Sequence, residues 1–217
     1  MSQSEIISRT ASHIRALLTG DSSGHDWQHI ERVRQSALAI AREEGTDLFV
    51  VEMAALLHDI ADWKFAGGDE EAGPRAAQEW MNSLNIAAAT SEHVCRIIRQ
   101  LSFKGAGVAT PMDSLEGSCV QDADRLDALG AVGIARAFAY GGAKGRGMYD
   151  PAVPPEMHAS FAAYKRNAGP TINHFYEKLL LLQDRMNTAT GKRLARGRHQ
   201  FMETFLEQFF AEWRGER

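Results

Sequence analysis

The stretch with the clearest chemical content is VEMAALLHDIADWKF, residues 51 to 65. Its first seven residues are almost all apolar, and at helical period they describe a segment packed on more than one side. His58 and Asp59 therefore arrive where water is scarce. An unpartnered carboxylate there would cost several kcal/mol or would neutralise, so a cation is expected between these side chains. A divalent metal is the simplest candidate. Neighbours on a helix point about 100° apart, so His58 and Asp59 converge on one ion only if other helices supply further ligands. Asp62 follows His58 by four residues, on nearly the same face of a continuing helix. That sets a second carboxylate beside the metal without requiring it to be a ligand.

The elements that must position these groups are helical. No stretch alternates apolar and polar residues long enough for a sheet, whereas 3.6-residue patterns recur almost from end to end, so the fold is expected to be all-α. Helices are expected over residues 3–19, 26–44, 74–84 and 91–101, with the 51–65 stretch beginning after Asp47. His29 falls in the first turn of the second, on the inward face with Ile30, Val33, Ala37 and Ile40. Residues 115–140 read as one long buried helix, interrupted by Asp122, Asp124, Arg125 and Asp127, with Gly130 and Gly133 allowing close packing. GGAKGRGMYDPAVPP is the least helical segment and a mobile-loop candidate. Two helices, about 170–186 and 188–213, close the chain.

Composition narrows the classes. At 217 residues the chain can bury one sizeable core, and a single domain over 1–217 is expected. Hydrophobic residues make up 44% and charged residues 24%, an ordinary soluble balance. The net charge of −4 argues against a surface that coats nucleic acid but not against a local basic pocket for an anion. The apolar runs fall short of a membrane span, and MSQSEIISRT lacks the layout of a signal peptide, so a cytoplasmic location is expected. Cys95 and Cys119 both lie in helical apolar patterns and read as buried thiols rather than a disulfide or zinc knuckle.

Taken together, HIERVRQSALAIA, ALLHDIADW and DADRLDALG resemble the HD-domain metal-dependent phosphohydrolase superfamily, over roughly residues 24–140. Its pattern is a histidine on one helix, a His-Asp pair on the next and an aspartate on a later one. The resemblance implies a helical bundle with additional C-terminal helices over 141–217, and metal ligands His29, His58, Asp59 and Asp124. His25-Asp26 is a second His-Asp dipeptide, but at a helix start Asp26 is more simply a cap. Two imidazoles and two carboxylates suit one Mn²⁺, Mg²⁺, Co²⁺, Ni²⁺ or Fe²⁺ better than a closed structural zinc, with Mn²⁺ the first expectation. Asp62 occupies the place of the catalytic acid or base in similar enzymes, against the alternative of a salt bridge. His93 is a core histidine or an extra ligand, and the helix bearing it has no second histidine, so one metal is expected.

HDW, ADWKF, SFKG, DADRLDALGAVGIAR and the closing NHFYEKLLLLQDRM are similar to a bacterial subgroup of this superfamily, the YpgQ-like and YedJ-like proteins. The subgroup implies hydrolysis of a nucleoside or deoxynucleoside triphosphate to monophosphate and pyrophosphate. Lys64, Lys104 and Arg125 are candidates to meet phosphate, against exposed lysines and an ion pair of Arg125 with Asp122 or Asp127. His174 and Lys178, one helical turn apart, reach the nucleotide or form a plain surface pair. Trp27, Trp63 and Phe65 stack a base or simply pack. The partner is thus a nucleotide, without membrane or nucleic-acid coat, and a homodimer is compatible with the reading. The alternatives are a nucleotidase or phosphodiesterase of the same superfamily, and a nucleotide-sensing module without turnover.

Overall fold

The computed structural model describes residues 1–18, 26–61, 69, 71–101, 106–157 and 169–217. Among them are nine α-helices and no strand. These are α1 (Gln3–Leu17), α2 (Trp27–Glu44), α3 (Leu48–Leu57), α4 (Ala72–Ser83) and α5 (Ala88–Leu101), then α6 (Leu115–Asp127), α7 (Gly130–Ala143), α8 (Thr171–Glu177) and α9 (Ala189–Trp213), with a 3₁₀ segment at Leu179–Arg185. The chain divides into two compact units, Met1–Phe103 with Ala109–Asp124, and Lys104–Val108 with Arg125–Arg217.

The first unit is organised around α3. Val51 and Met53 through Leu57 are fully buried, and α1, α2 and α5 all pack on this helix. Local chemistry sets the ends of the helices. The Ser2 side chain and Glu5 form a reciprocal capping box on α1. Asp26 accepts the His29 amide at 2.9 Å, capping α2 as the sequence indicates, and Gly45 ends that helix at φ 73°. Asp47 accepts from Phe49 and Val50 to start α3.

α3 is shorter than the sequence pattern suggests. It closes at Leu57, followed by a turn over 58–61 with an Ile60 amide to Leu57 carbonyl bond of 3.1 Å. There the His58 side chain turns back on the helix, its Nδ1 lying 2.8 Å from the Ala55 carbonyl.

The expected single helix over 115–140 is two helices. Leu129 is extended and Gly130 takes φ 70°, a conformation that glycine alone adopts freely. The chain turns so tightly that a Cβ on Gly133 would overlap the Ala128 carbonyl. The expected helix over 170–186 likewise divides into α8 and the 3₁₀ segment.

The second unit has an aromatic core, in which the rings of Phe138, Phe175 and Phe205 stand 5.9–6.1 Å apart. The described part of the mobile-loop candidate is tied to α8. The Thr171 and Ile172 amides donate to the Gly147 and Met148 carbonyls at 2.9 Å, and Asn173 donates to the Val153 carbonyl at 2.9 Å. Glu177, buried, accepts the Glu156 amide at 3.0 Å. No helix of the described residues is long and apolar enough to cross a membrane.

Candidate metal centre

His29 comes from the first turn of α2, His58 and Asp59 from the end of α3, and Asp124 from α6, all in the first unit. The two Nε2 atoms stand 3.2 Å apart. Asp59 Oδ2 lies 3.5 Å from His29 Nε2 and 3.6 Å from His58 Nε2. Asp124 Oδ1 lies 3.6 Å from the former and 4.0 Å from the latter. His29, His58 and Asp59 are the group whose ligand atoms all fall within 4.8 Å of one another. Asp124 stands outside that group but within 4.0 Å of both imidazoles.

These separations fit an ion. Donors about 2.0–2.2 Å from one metal stand about 3–3.5 Å from adjacent donors, so the His29, His58 and Asp59 atoms need only small contractions to share an ion. The tautomer fits as well. The Ala55 carbonyl can only accept, so Nδ1 of neutral His58 carries the proton and Nε2 turns a lone pair toward His29. A ring N–H given to a main-chain carbonyl is the usual arrangement of a metal-binding histidine. Exposure rises across the group, from 1% for the His29 side chain and 4% for His58 to 16% for Asp59 and 34% for Asp124. The carboxylate side is therefore the more exposed one.

α6 is anchored through residues the sequence reading does not single out. Glu116 accepts from the Thr46 hydroxyl and from the Asp47 amide at 3.4 Å, joining α6 to the turn between α2 and α3. Burial alone would raise its carboxyl, but these bonds and nearby His93 outweigh it and hold the group below the ordinary range. Gln121 donates to the Gln100 carbonyl at 3.1 Å. An acidic residue in the first turn of a helix is the only sequence signal for Glu116. His93 Nε2 lies 3.8 Å from Glu116 Oε2 and outside the metal group.

The substrate candidates are placed as follows. Asp62, Lys64, Lys104, Trp63 and Phe65 lie outside the described residues. Trp27 opens α2. Arg125 is buried and donates to the Arg185 carbonyl within the second unit, and Arg185 in turn donates to the Ala106 and Val108 carbonyls. His174 sits on α8, and Lys178 caps the end of that helix, its amide donating to the His174 carbonyl at 3.1 Å.

The helical fold and the His-Asp site are those of an HD-type hydrolase. The HD domain family matches residues 26–129. The chain is 41% identical to the uncharacterized protein YpgQ of Bacillus subtilis (strain 168), over 90% of this chain and 87% of that one. An HD-superfamily hydrolase from Bacillus thuringiensis matches with a TM-score of 0.76 and 46% identity, covering 98% of this chain and 99% of that one. The structure of B. subtilis YpgQ in complex with ADP matches with a TM-score of 0.78 and 36% identity, covering 98% and 97%. The chain belongs to the HD superfamily of hydrolases. HD domains bind divalent metals, and His29, His58 and Asp59 form a group able to hold one here.

Proposed function

We propose that this protein is a metal-dependent nucleotide phosphohydrolase, and specifically a nucleoside or deoxynucleoside triphosphate pyrophosphohydrolase that yields the monophosphate and pyrophosphate. The observation that carries the reading is the convergence of two imidazoles and two carboxylates at 3.2–4.0 Å with its exposed side at Asp124. The ADP held by B. subtilis YpgQ supports a nucleotide as the ligand.

His29, His58, Asp59 and Asp124 would hold one divalent metal, with Mn²⁺ the first to try. When bound, it supplies Lewis acidity toward a phosphoryl oxygen and lowers the pKa of water at the site. The remaining work falls to the chain. Asp62 takes the proton of the attacking water. Lys64 and Lys104 offset the charge that develops on the departing pyrophosphate. His174 and Lys178 are assigned to the nucleoside end. Arg125 is assigned to a phosphate oxygen, with one of its five N–H donors given to the Arg185 carbonyl.

The test is to incubate the Mn²⁺-loaded protein with a nucleotide panel in ¹⁸O-labelled water and to identify products by mass. Label in the nucleoside monophosphate, with unlabelled pyrophosphate, supports attack at the α-phosphorus. Label in orthophosphate would instead mark a nucleotidase, and binding without turnover a sensing module.

A further inference from the structure

The hairpin of α2 and α3 carries both imidazoles, so its register decides whether they meet. His29 near the start of α2 touches His58 at the end of α3, which makes the two helices antiparallel about the turn at 45–47. A slip of one residue would move a side chain about 1.5 Å along the axis and swing it about 100°, enough to dissolve the pair. The turn fixes the near end of the hairpin through the left-handed Gly45 and the Asp47 cap. Neither feature restrains the far end, where the histidines stand.

Between the turn and the histidines lies a directional link. Arg34 follows His29 by five residues and Glu52 precedes His58 by six, so the pair sits in the half of the hairpin nearer the histidines. Arg34 donates through Nε and Nη2 to Glu52 Oε1 at 2.8 and 2.6 Å, and through Nη1 to Glu31 Oε2 at 3.0 Å. The side chains of Arg34, Glu31 and Glu52 are 26%, 24% and 17% exposed, which sets the cluster apart from a solvated surface pair. A planar guanidinium held by two carboxylates has one acceptable geometry, unlike the point charge of a lysine.

We propose that Arg34 and Glu52 are positioning residues that lock the register of this hairpin and so set the approach of His29 and His58 for the metal. The proposal rests on the metal-centre reading above and goes beyond it. The variants are Arg34→Met, Arg34→Lys, Glu52→Gln and the exchanged pair Arg34→Glu with Glu52→Arg. Mn²⁺ affinity is measured by competition with a fluorescent chelator, thermal unfolding is followed in EDTA, and the imidazole ¹⁵N signals of His29 and His58 are recorded without metal.

Arg34→Met is expected to weaken Mn²⁺ binding about tenfold or more, the usual cost of losing a group that orients ligands. Arg34→Lys and Glu52→Gln are expected to fall between it and the wild type, and the exchanged pair to recover most of the loss. The imidazole signals should shift in the single variants and return in the exchanged pair. Lower melting temperatures with unchanged Mn²⁺ affinity and unchanged imidazole signals would overturn the proposal and leave an ordinary stabilising ion pair. If Arg34→Met does not fold, the two conservative variants decide. A wild-type protein that binds no Mn²⁺ would defeat the metal-centre reading instead, and the imidazole signals would still report on the register.

Discussion

His29 and His58 face each other through their Nε2 atoms at 3.2 Å, and the second nitrogen of His58 is committed to the Ala55 carbonyl. Two rings so arranged share a proton or share a cation. With the carboxylates of Asp59 and Asp124 at 3.5–4.0 Å, a cation would account for all four groups at once.

His58→Ala and Asp124→Ala should each lose stoichiometric Mn²⁺, with affinity falling at least about tenfold. Elemental analysis after gel filtration measures it. Full metal content in both variants would remove these residues from the site.

Asp62→Asn should keep the metal and lose turnover by about 10²-fold, the contribution of a positioned acid or base. Asparagine has nearly the same shape but cannot take the proton. Wild-type turnover at saturating substrate would leave Asp62 with a structural role.

Glu116→Gln should destabilise the protein at neutral pH and progressively less in acid. The folded carboxyl sits below its unfolded value, because the bonds from Thr46 and Asp47 outweigh the opposing effect of burial. Such a group adds stability above the unfolded carboxylate pKa of about 4.3, and that stability fades as pH falls through the folded value. Melting temperatures of both proteins across that window test the sign. A gap that widens in acid would contradict it.

Cys119 should resist alkylation until the protein unfolds. Burial first, then the nearby carboxylates of Asp122, Glu44 and Glu116, push its thiol up to about 12, and burial raises Cys95 as well. Iodoacetamide at mildly alkaline pH should therefore modify neither cysteine in the native protein and both in denaturant, as counted by mass.

The sequence is legible where residue type and period say the same thing. The apolar pattern marks the helices that carry His29 and Asp124 and the one that leads into His58 and Asp59, and the structure sets both carboxylates within 4.0 Å of both imidazoles. The break between α6 and α7 is hidden because a glycine in an apolar run reads equally as a packing contact and as a left-handed turn, and only the tertiary course at Gly130 chooses. The end of α3 is hidden for another reason. The chemical motif continues into residues that turn out of the helix after Leu57, and no periodicity records where that turn begins. Arg34, Glu52 and Glu116 look like solvated charges in the sequence, since their value comes from partners 18 and 70 residues away.

The binding of α8 to residues 147–156 has a consequence for the order of folding. The first amides of a helix have no partner within it, and in α8 the first two go to Gly147 and Met148 rather than to a capping side chain. A helix of seven residues is too short to persist alone, so α8 completes itself only after the upstream segment has come to rest along it. Thr171 and Ile172 then act as a clock for the second unit, acquiring protection from hydrogen exchange with the arrival of a segment more than twenty residues earlier in the chain and not with helix formation.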